Sequence, residues 1–170
     1  MILTALAVLW AAAVALNRWS VRRRDGGGDP REGIVLFVEP VRWLFIIWGF
    51  RHFCDGLRRG GYRGQIRLFR WSTSAGALLV VPDVVRQRRL IGRAARLAGR
   101  IERITERHPG APIHLCGYSS GCYIVLEALR RIERTRVRTT ILLAGTVSKR
   151  YPLESLDGST DRLIPVFSPI

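Results

Sequence analysis

Lysine is almost missing from this chain: Lys149 is the sole lysine among 28 basic residues, so the positive charge is carried by arginine. Acidic residues are also few, 13 in all, which leaves a net charge of +15. Such a balance suits anionic partners, lipid headgroups or nucleic acid, although arginine-rich codon usage gives a plainly basic surface too. The arginines carry no recognised nucleic-acid motif and no interleaved aromatics, which places nucleic acid last among those partners. Histidine is scarce, and His52, His108 and His114 lie apart from any Cys cluster. No zinc spacing exists, and neither a metal nor another cofactor is expected. Three cysteines, Cys54, Cys116 and Cys122, exclude a disulfide-rich scaffold and point to a reducing compartment or to independence from bridges. Internal repeats are absent. What is present is a globular composition, 48% hydrophobic and 24% charged over 170 residues, enough for one domain and incompatible with disorder.

The N-terminal segment stands apart. Ile2 to Leu16 is apolar except for Thr4, and Asn17, Arg18, Trp19, Arg22, Arg23 and Arg24 follow. Fifteen helical residues span about 22 Å, short of a hydrocarbon core of about 30 Å unless Trp19 and a snorkelling Arg18 extend them. No positive charge precedes the run and four arginines follow it, the asymmetry of an uncleaved anchor whose C-terminal side is cytoplasmic. Two other readings stay open: a signal peptide cleaved near Ala13-Val14-Ala15, and an ordinary buried helix. The expected organisation is a membrane anchor with a basic flank over 1–24, a flexible Gly-rich linker over 25–33, and a domain over 34–170.

Within that domain strand and helix signals alternate. Ile34–Val38 reads as a strand buried on both faces. Trp43–Arg59 reads as a helix closed by Gly60-Gly61, and Gln65–Trp71 as a strand. Pro82 and Asp83 open a long helix to about Arg107. Its apolar stripe is Leu90, Ala94, Leu97, Ile101 and Ile104, opposed by a row of arginines from Arg86 to Arg107 at steps of three and four. Strands over 112–116, 138–144 and 163–167 and a helix over 120–132 complete the pattern. Such alternation predicts an α/β fold, a mostly parallel open sheet with flanking helices, preceded by the apolar helix.

Gly117-Tyr118-Ser119-Ser120-Gly121 is a G-x-S-x-G pentapeptide lying directly between the strand ending at Cys116 and the helical run from Cys122. That context is what a nucleophile elbow requires: a tight turn with a strained serine and glycines that avoid clashes. Cys116 and Cys122 bracket it as small packing residues. Here the chain resembles the α/β-hydrolase fold superfamily of serine esterases and lipases, from about Ile34 onward. The resemblance implies Ser119 as nucleophile, the Ser120 N–H as one oxyanion donor, and the loop Glu39-Pro40-Val41-Arg42 as source of the second. Pro40 has no N–H, so Val41 is the donor in that loop. Asp157, with Asp161, follows the strand at 138–144 as the candidate acid. An ester or lipid-like substrate follows from the same likeness, and the membrane as a partner from the N-terminal segment. Trp43, Leu44, Phe45 and Trp48 then line an acyl pocket, dock on a bilayer, or simply belong to a buried helix.

One part of the triad is missing: no histidine follows Ser119. His114 precedes it within its own strand, and His52 serves only if the loop after the first strand folds over the site. Without a base a serine has no acceptor for its proton. Two accounts compete, a hydrolase cut before its acid and histidine loops, and a small protein that keeps the fold without the activity. The functional alternatives are correspondingly a serine hydrolase of esterase type, inactive or incomplete over these residues, and a basic membrane-associated binding module on the same scaffold. Oligomeric state has no signature in the sequence.

Overall fold

A computed structural model describes residues 2–42, 44–72, 87–145, 147–148, 150–156 and 158–167, with side chains at 87–89 left aside. Its elements are α1 (Ile2–Arg24), β1 (Asp29–Val38), α2 (Phe50–Arg59), β2 (Gly64–Phe69), α3 (Gln87–Arg107), β3 (Ile113–Tyr118), α4 (Gly121–Leu129), β4 (Thr139–Leu143) and β5 (Leu163–Val166). The five strands form one sheet in the order β2-β1-β3-β4-β5, and every pairing is parallel. Parallel neighbours need crossover connections, and the helical stretches between strands provide them. The expected α/β class and parallel sheet are therefore what the chain adopts.

The side-chain period of two divides β1 cleanly between the faces. Ile34, Leu36 and Val38 join Ala94, Leu97, Ile101 and Ile104 of α3 and Ile124, Val125 and Leu126 of α4 in the larger core. Phe37 points the other way, into a smaller core with Val21 of α1, Phe50 and Cys54 of α2, and Ile66, Leu68 and Cys116. The α3 apolar stripe thus packs as its spacing requires, while Arg96, Arg103 and Arg107 are exposed. Arg100 is half-buried instead: its guanidinium donates to the Leu68 carbonyl at 3.3 Å and lies 5.9 Å from the Phe69 ring centre. Pro82 and Asp83, expected to open this helix, lie outside the described residues, as does Trp43.

Three expectations need correction. The stretch 25–33 is not a flexible linker: Gly26 N–H donates to Ile66 O at 2.7 Å, Ile66 N–H to Gly27 O at 3.1 Å, and Leu68 N–H to the Asp25 carboxylate at 2.9 Å. Its backbone groups find partners along β2, and Asp29 already pairs with Gly64 at the start of β1. Nor does a helix begin near Trp43. Leu44 and Phe45 have φ of 50° and 70°, which a helix does not allow, and α2 starts only at Phe50 after Gly49, whose φ is 78°. Finally, α1 is no ordinary buried helix, since Ile2, Leu3 and Leu9 are 79%, 83% and 67% exposed. Helical geometry continues to Arg24, so the whole helix of 23 residues reaches about 35 Å, beyond the apolar run of about 22 Å. By length and apolar composition α1 is a candidate membrane anchor or signal sequence near the N-terminus.

The last turns of α1 are tied to the domain. Asn17 both donates to and accepts from the backbone of Ile47, at 3.1 and 2.9 Å. Arg24 forks onto Asp55 of α2 at 2.9 and 3.3 Å, and that pairing holds the Asp55 carboxyl below its ordinary range.

Candidate active site at the switch point of the sheet

From β1 the chain crosses outward to β2 and then back past β1 to β3, so the winding direction reverses between β1 and β3. Loops leaving the carboxyl ends of two such strands diverge to opposite faces and open a crevice, the usual ligand position in a parallel sheet. The loop Glu39–Arg42 leaves β1 there, and Ser119-Ser120 leaves β3.

Ser119 occupies the turn between β3 and α4 with φ of 52°. A non-glycine residue in the left-handed region is costly unless the surroundings enforce it. Here Ser119 N–H donates to Leu143 O at 2.9 Å, and Ser119 O accepts from Cys122 N–H at 3.0 Å, which fixes both ends of the turn. The flanking glycines are required by space. A Cβ on Gly117 would lie 2.7 Å from the Cα of Cys122, and one on Gly121 would lie 2.5 Å from the carbonyl oxygen of Val38. The α4 N-terminus is thus pressed onto the end of β1, with no room for even a methyl group. Cys122 Sγ donates to Gly117 O at 3.2 Å, and burial pushes its thiol up to about 12. Cys116 is shifted upward by burial as well, which makes both cysteines inert packing residues.

Val41 lies against this turn, but its N–H donates to Ser120 Oγ at 3.1 Å. The hydrogen bond brings the β1 loop and the elbow into register across 79 residues of sequence. The Ser120 N–H faces no backbone carbonyl among the described residues. Together with the start of α4 it gives this corner a partial positive charge.

Sequence reasoning missed Glu39. It is fully buried, a rare situation for a carboxylate, and it is satisfied on every side. Arg42 Nε donates to it at 2.9 and 3.0 Å and a second Arg42 nitrogen at 2.8 Å; Trp71 N–H reaches it at 3.1 Å and Ser72 Oγ at 3.1 Å. The Trp71 indole N–H donates to the Glu39 carbonyl. This network shapes the loop that carries Val41. The Glu-x-x-Arg spacing directly after a buried strand is the one trace it leaves in the sequence.

No described side chain is hydrogen-bonded to the Ser119 hydroxyl. His52 is exposed on α2, His108 caps the end of α3, and His114 sits five residues back along β3, about 16 Å at strand rise. His114 stacks edge-on to Tyr62, and burial, aided by Arg138, lowers its pKa. Asp157 lies outside the described residues. Asp161 is nearby in sequence but pairs with Arg136. Among the described residues no cluster of His, Cys, Asp and Glu has the shape of a metal site.

No family model matches the chain, and no curated protein does. Solved structures do. A Trichoderma reesei cutinase in complex with a C11Y4 phosphonate inhibitor superposes with a TM-score of 0.58 at 15% identity, covering 96% of this chain and 77% of the cutinase. The chain has an α/β-hydrolase-like fold. A lipase-esterase related protein from Clostridium acetobutylicum ATCC 824 is also similar, at TM-score 0.45 and 18% identity, with 74% of this chain and 49% of that protein covered. In this α/β-hydrolase-like chain the five strands and the serine turn after β3 lie where the sequence pattern puts them, and the strand order adds the switch point between β1 and β3.

Proposed function

We propose that the chain is a serine hydrolase-type protein of the esterase or lipase kind, with Ser119 in the nucleophile position. The carrying observation is the positive φ of Ser119 at the carboxyl end of β3, beside the α4 N-terminus and the β1 loop. In this reading an ester carbonyl sits over the turn, its carbon facing Ser119 Oγ and its oxygen facing the Ser120 N–H. Val41 supplies the second donor once its N–H turns from Ser120 Oγ to the substrate, which costs the exchange of one hydrogen bond for another. Asp157 is the proposed acid. A cutinase bound to a phosphonate inhibitor supports an ester-like substrate, because a phosphonate mimics the tetrahedral stage of ester cleavage. The apolar α1 supports a location at a membrane, and the arginines after its apolar run favour a domain on the cytoplasmic side.

Residues 1–170 hold no histidine beyond Ser119, so the proposal includes a deficit. The 170-residue chain cleaves p-nitrophenyl esters no faster than an oxyanion corner alone allows, on the order of 10³–10⁴ over water. A non-catalytic, basic membrane-associated binding module is the second reading, favoured by a Ser119 hydroxyl that has no hydrogen-bond partner among the described residues. Fluorophosphonate labelling of this chain and of its Ser119→Ala variant separates the cases. Labelling and ester turnover that vanish together in Ser119→Ala reveal a base within these residues, with His52 the first to mutate. Absence of labelling in the 170-residue form, with labelling restored in a longer chain that supplies a histidine, supports the incomplete hydrolase. Absence of labelling in both leaves the binding module.

A further inference from the structure

Four arginines converge at the β1 loop, three of them from outside it. Arg18 and Arg22 from α1, Arg42 from the β1 loop and Arg70 from the end of β2 line a cavity of about 200 Å³, with Phe45 and Ile47 as its apolar wall. Arg42 is held by Glu39 and Arg70 lies 3.6 Å from Asp25. Arg18 and Arg22 have no carboxylate partner among the described residues, so the cavity carries a surplus of positive charge. Three of its residues, Arg18, Arg22 and Phe45, also line a second groove of about 630 Å³, whose remaining wall is Trp10, Ala11, Val14, Ala15 and Trp19 of α1. The two spaces are therefore neighbours that share three lining side chains, one rich in arginine and one mostly apolar. Phe45 stands where they meet, 40% exposed and in a left-handed backbone conformation that keeps it out of the core. Leu44 and Trp48 of the same loop are each 48% exposed, and Trp19 is 57% exposed.

We propose that this composite groove binds one anionic phospholipid, with the phosphate among Arg18, Arg22, Arg42 and Arg70 and an acyl chain along Trp10, Val14 and Phe45. Charge complementarity selects an anion, and the apolar continuation selects an anion that carries a hydrocarbon tail. A nucleic acid matches the first part but offers nothing to the second. The position also fits. A helix entering a bilayer brings its last turn to headgroup level, where Trp and snorkelling Arg side chains are stable. Arg42 pairs with Glu39 in the loop whose Val41 N–H bonds Ser120 Oγ, so an occupied groove is linked to the elbow through that loop. The proposal rests on α1 lying at a membrane surface, but the site itself can be tested without a bilayer.

The full chain in maltoside micelles is titrated with dihexanoyl phosphatidylglycerol, dihexanoyl phosphatidylcholine, inorganic phosphate and a short single-stranded oligonucleotide, with intrinsic Trp fluorescence as readout. Phosphatidylglycerol should bind at least about tenfold more tightly than either phosphatidylcholine or phosphate, two arginines beyond those already paired each adding about fivefold. Arg18→Gln and Arg22→Gln should each weaken phosphatidylglycerol by about fivefold and flatten its salt dependence. Phe45→Ser should weaken it and leave the salt dependence as it was. Equal affinity for the two lipids, phosphate binding as tight as phosphatidylglycerol, tighter oligonucleotide binding, or wild-type affinity in both arginine variants would each overturn the site. Carbonate extraction of membranes tests the anchor separately. A protein released by carbonate that still prefers phosphatidylglycerol keeps the site and loses the anchor.

Discussion

Strands β1 and β5 read alike in the sequence, two short apolar runs rich in branched residues, yet they live in opposite environments. Residues 34–38 of β1 are at most 5% exposed, with β2 and β3 on either edge and helices on both faces. In β5, Ile164 and Val166 are 42% and 45% exposed, and Phe167 just beyond is 73% exposed. Among the described residues β5 pairs only with β4, and its Pro165, which has no N–H to give a ladder, is the kind of residue an edge strand admits. The Ser119 side of the crevice is built into the buried middle of the sheet, and the side proposed for the acid lies at its exposed edge. An apolar run thus reports that a strand exists; how much it contributes to stability is decided by its neighbours.

The largest test of that contrast uses two glycines. Gly121→Val should cost about 3 kcal/mol or more, because the obstacles are backbone carbonyls of Val38 and Glu39 that have nowhere to move. Gly158, between β4 and β5, has φ of 90° and open space around it, so Gly158→Ala should cost only the backbone strain, about 1 kcal/mol. Urea midpoints of the two variants measure the difference, and equal losses would mean that the edge is packed as tightly as the elbow.

A smaller effect comes from truncating apolar side chains. Leu36→Ala empties a fully buried position between α3 and α4 and should cost about 2–5 kcal/mol. Ile164→Ala, from a side chain already half in water, should cost below about 1 kcal/mol. Thermal melts of both variants decide it. A loss at Ile164 as large as that at Leu36 would show β5 covered in solution by something that packs on it.

What could be read from sequence alone follows the same division. The parallel sheet, the α3 stripe and the serine turn were legible because each is a local pattern: alternation, a 3.6 period, and a motif between a strand and a helix. The Trp43–Gly49 stretch was not, since a run apolar on every side has no period, and the positive φ values at Leu44 and Phe45 come from the fold around them. The docking of Gly26 and Gly27 on β2 was hidden for a related reason. Glycines signal freedom, but here their backbone groups are fixed by partners some 39 residues away. Glu39 left only its spacing to Arg42, because its other donors, Trp71 and Ser72, lie more than 30 residues away. Long-range hydrogen bonds leave little trace in local sequence.

The smallest expected effect is the most informative about the elbow. Ser119 stands at φ of 52°, a conformation that burdens any residue with a Cβ and suits glycine. Ser119→Gly should therefore stabilise the chain by about 1 kcal/mol, the relieved strain exceeding the extra entropy that glycine gains when unfolded. For a domain of this length that is a rise in Tm of about 2–4 °C. Ser119→Ala keeps the Cβ and the strain, and its lost hydroxyl has no hydrogen-bond partner among the described residues, so its Tm should stay within about 2 °C of wild type. The pair separates backbone from side chain at one position. A gain in Ser119→Gly alone shows that the turn stores strain to present this residue at the switch point, as the well-packed half of the sheet can enforce. A loss in both variants would instead show that the hydroxyl is bonded to the protein and is a structural group rather than one held ready for a substrate.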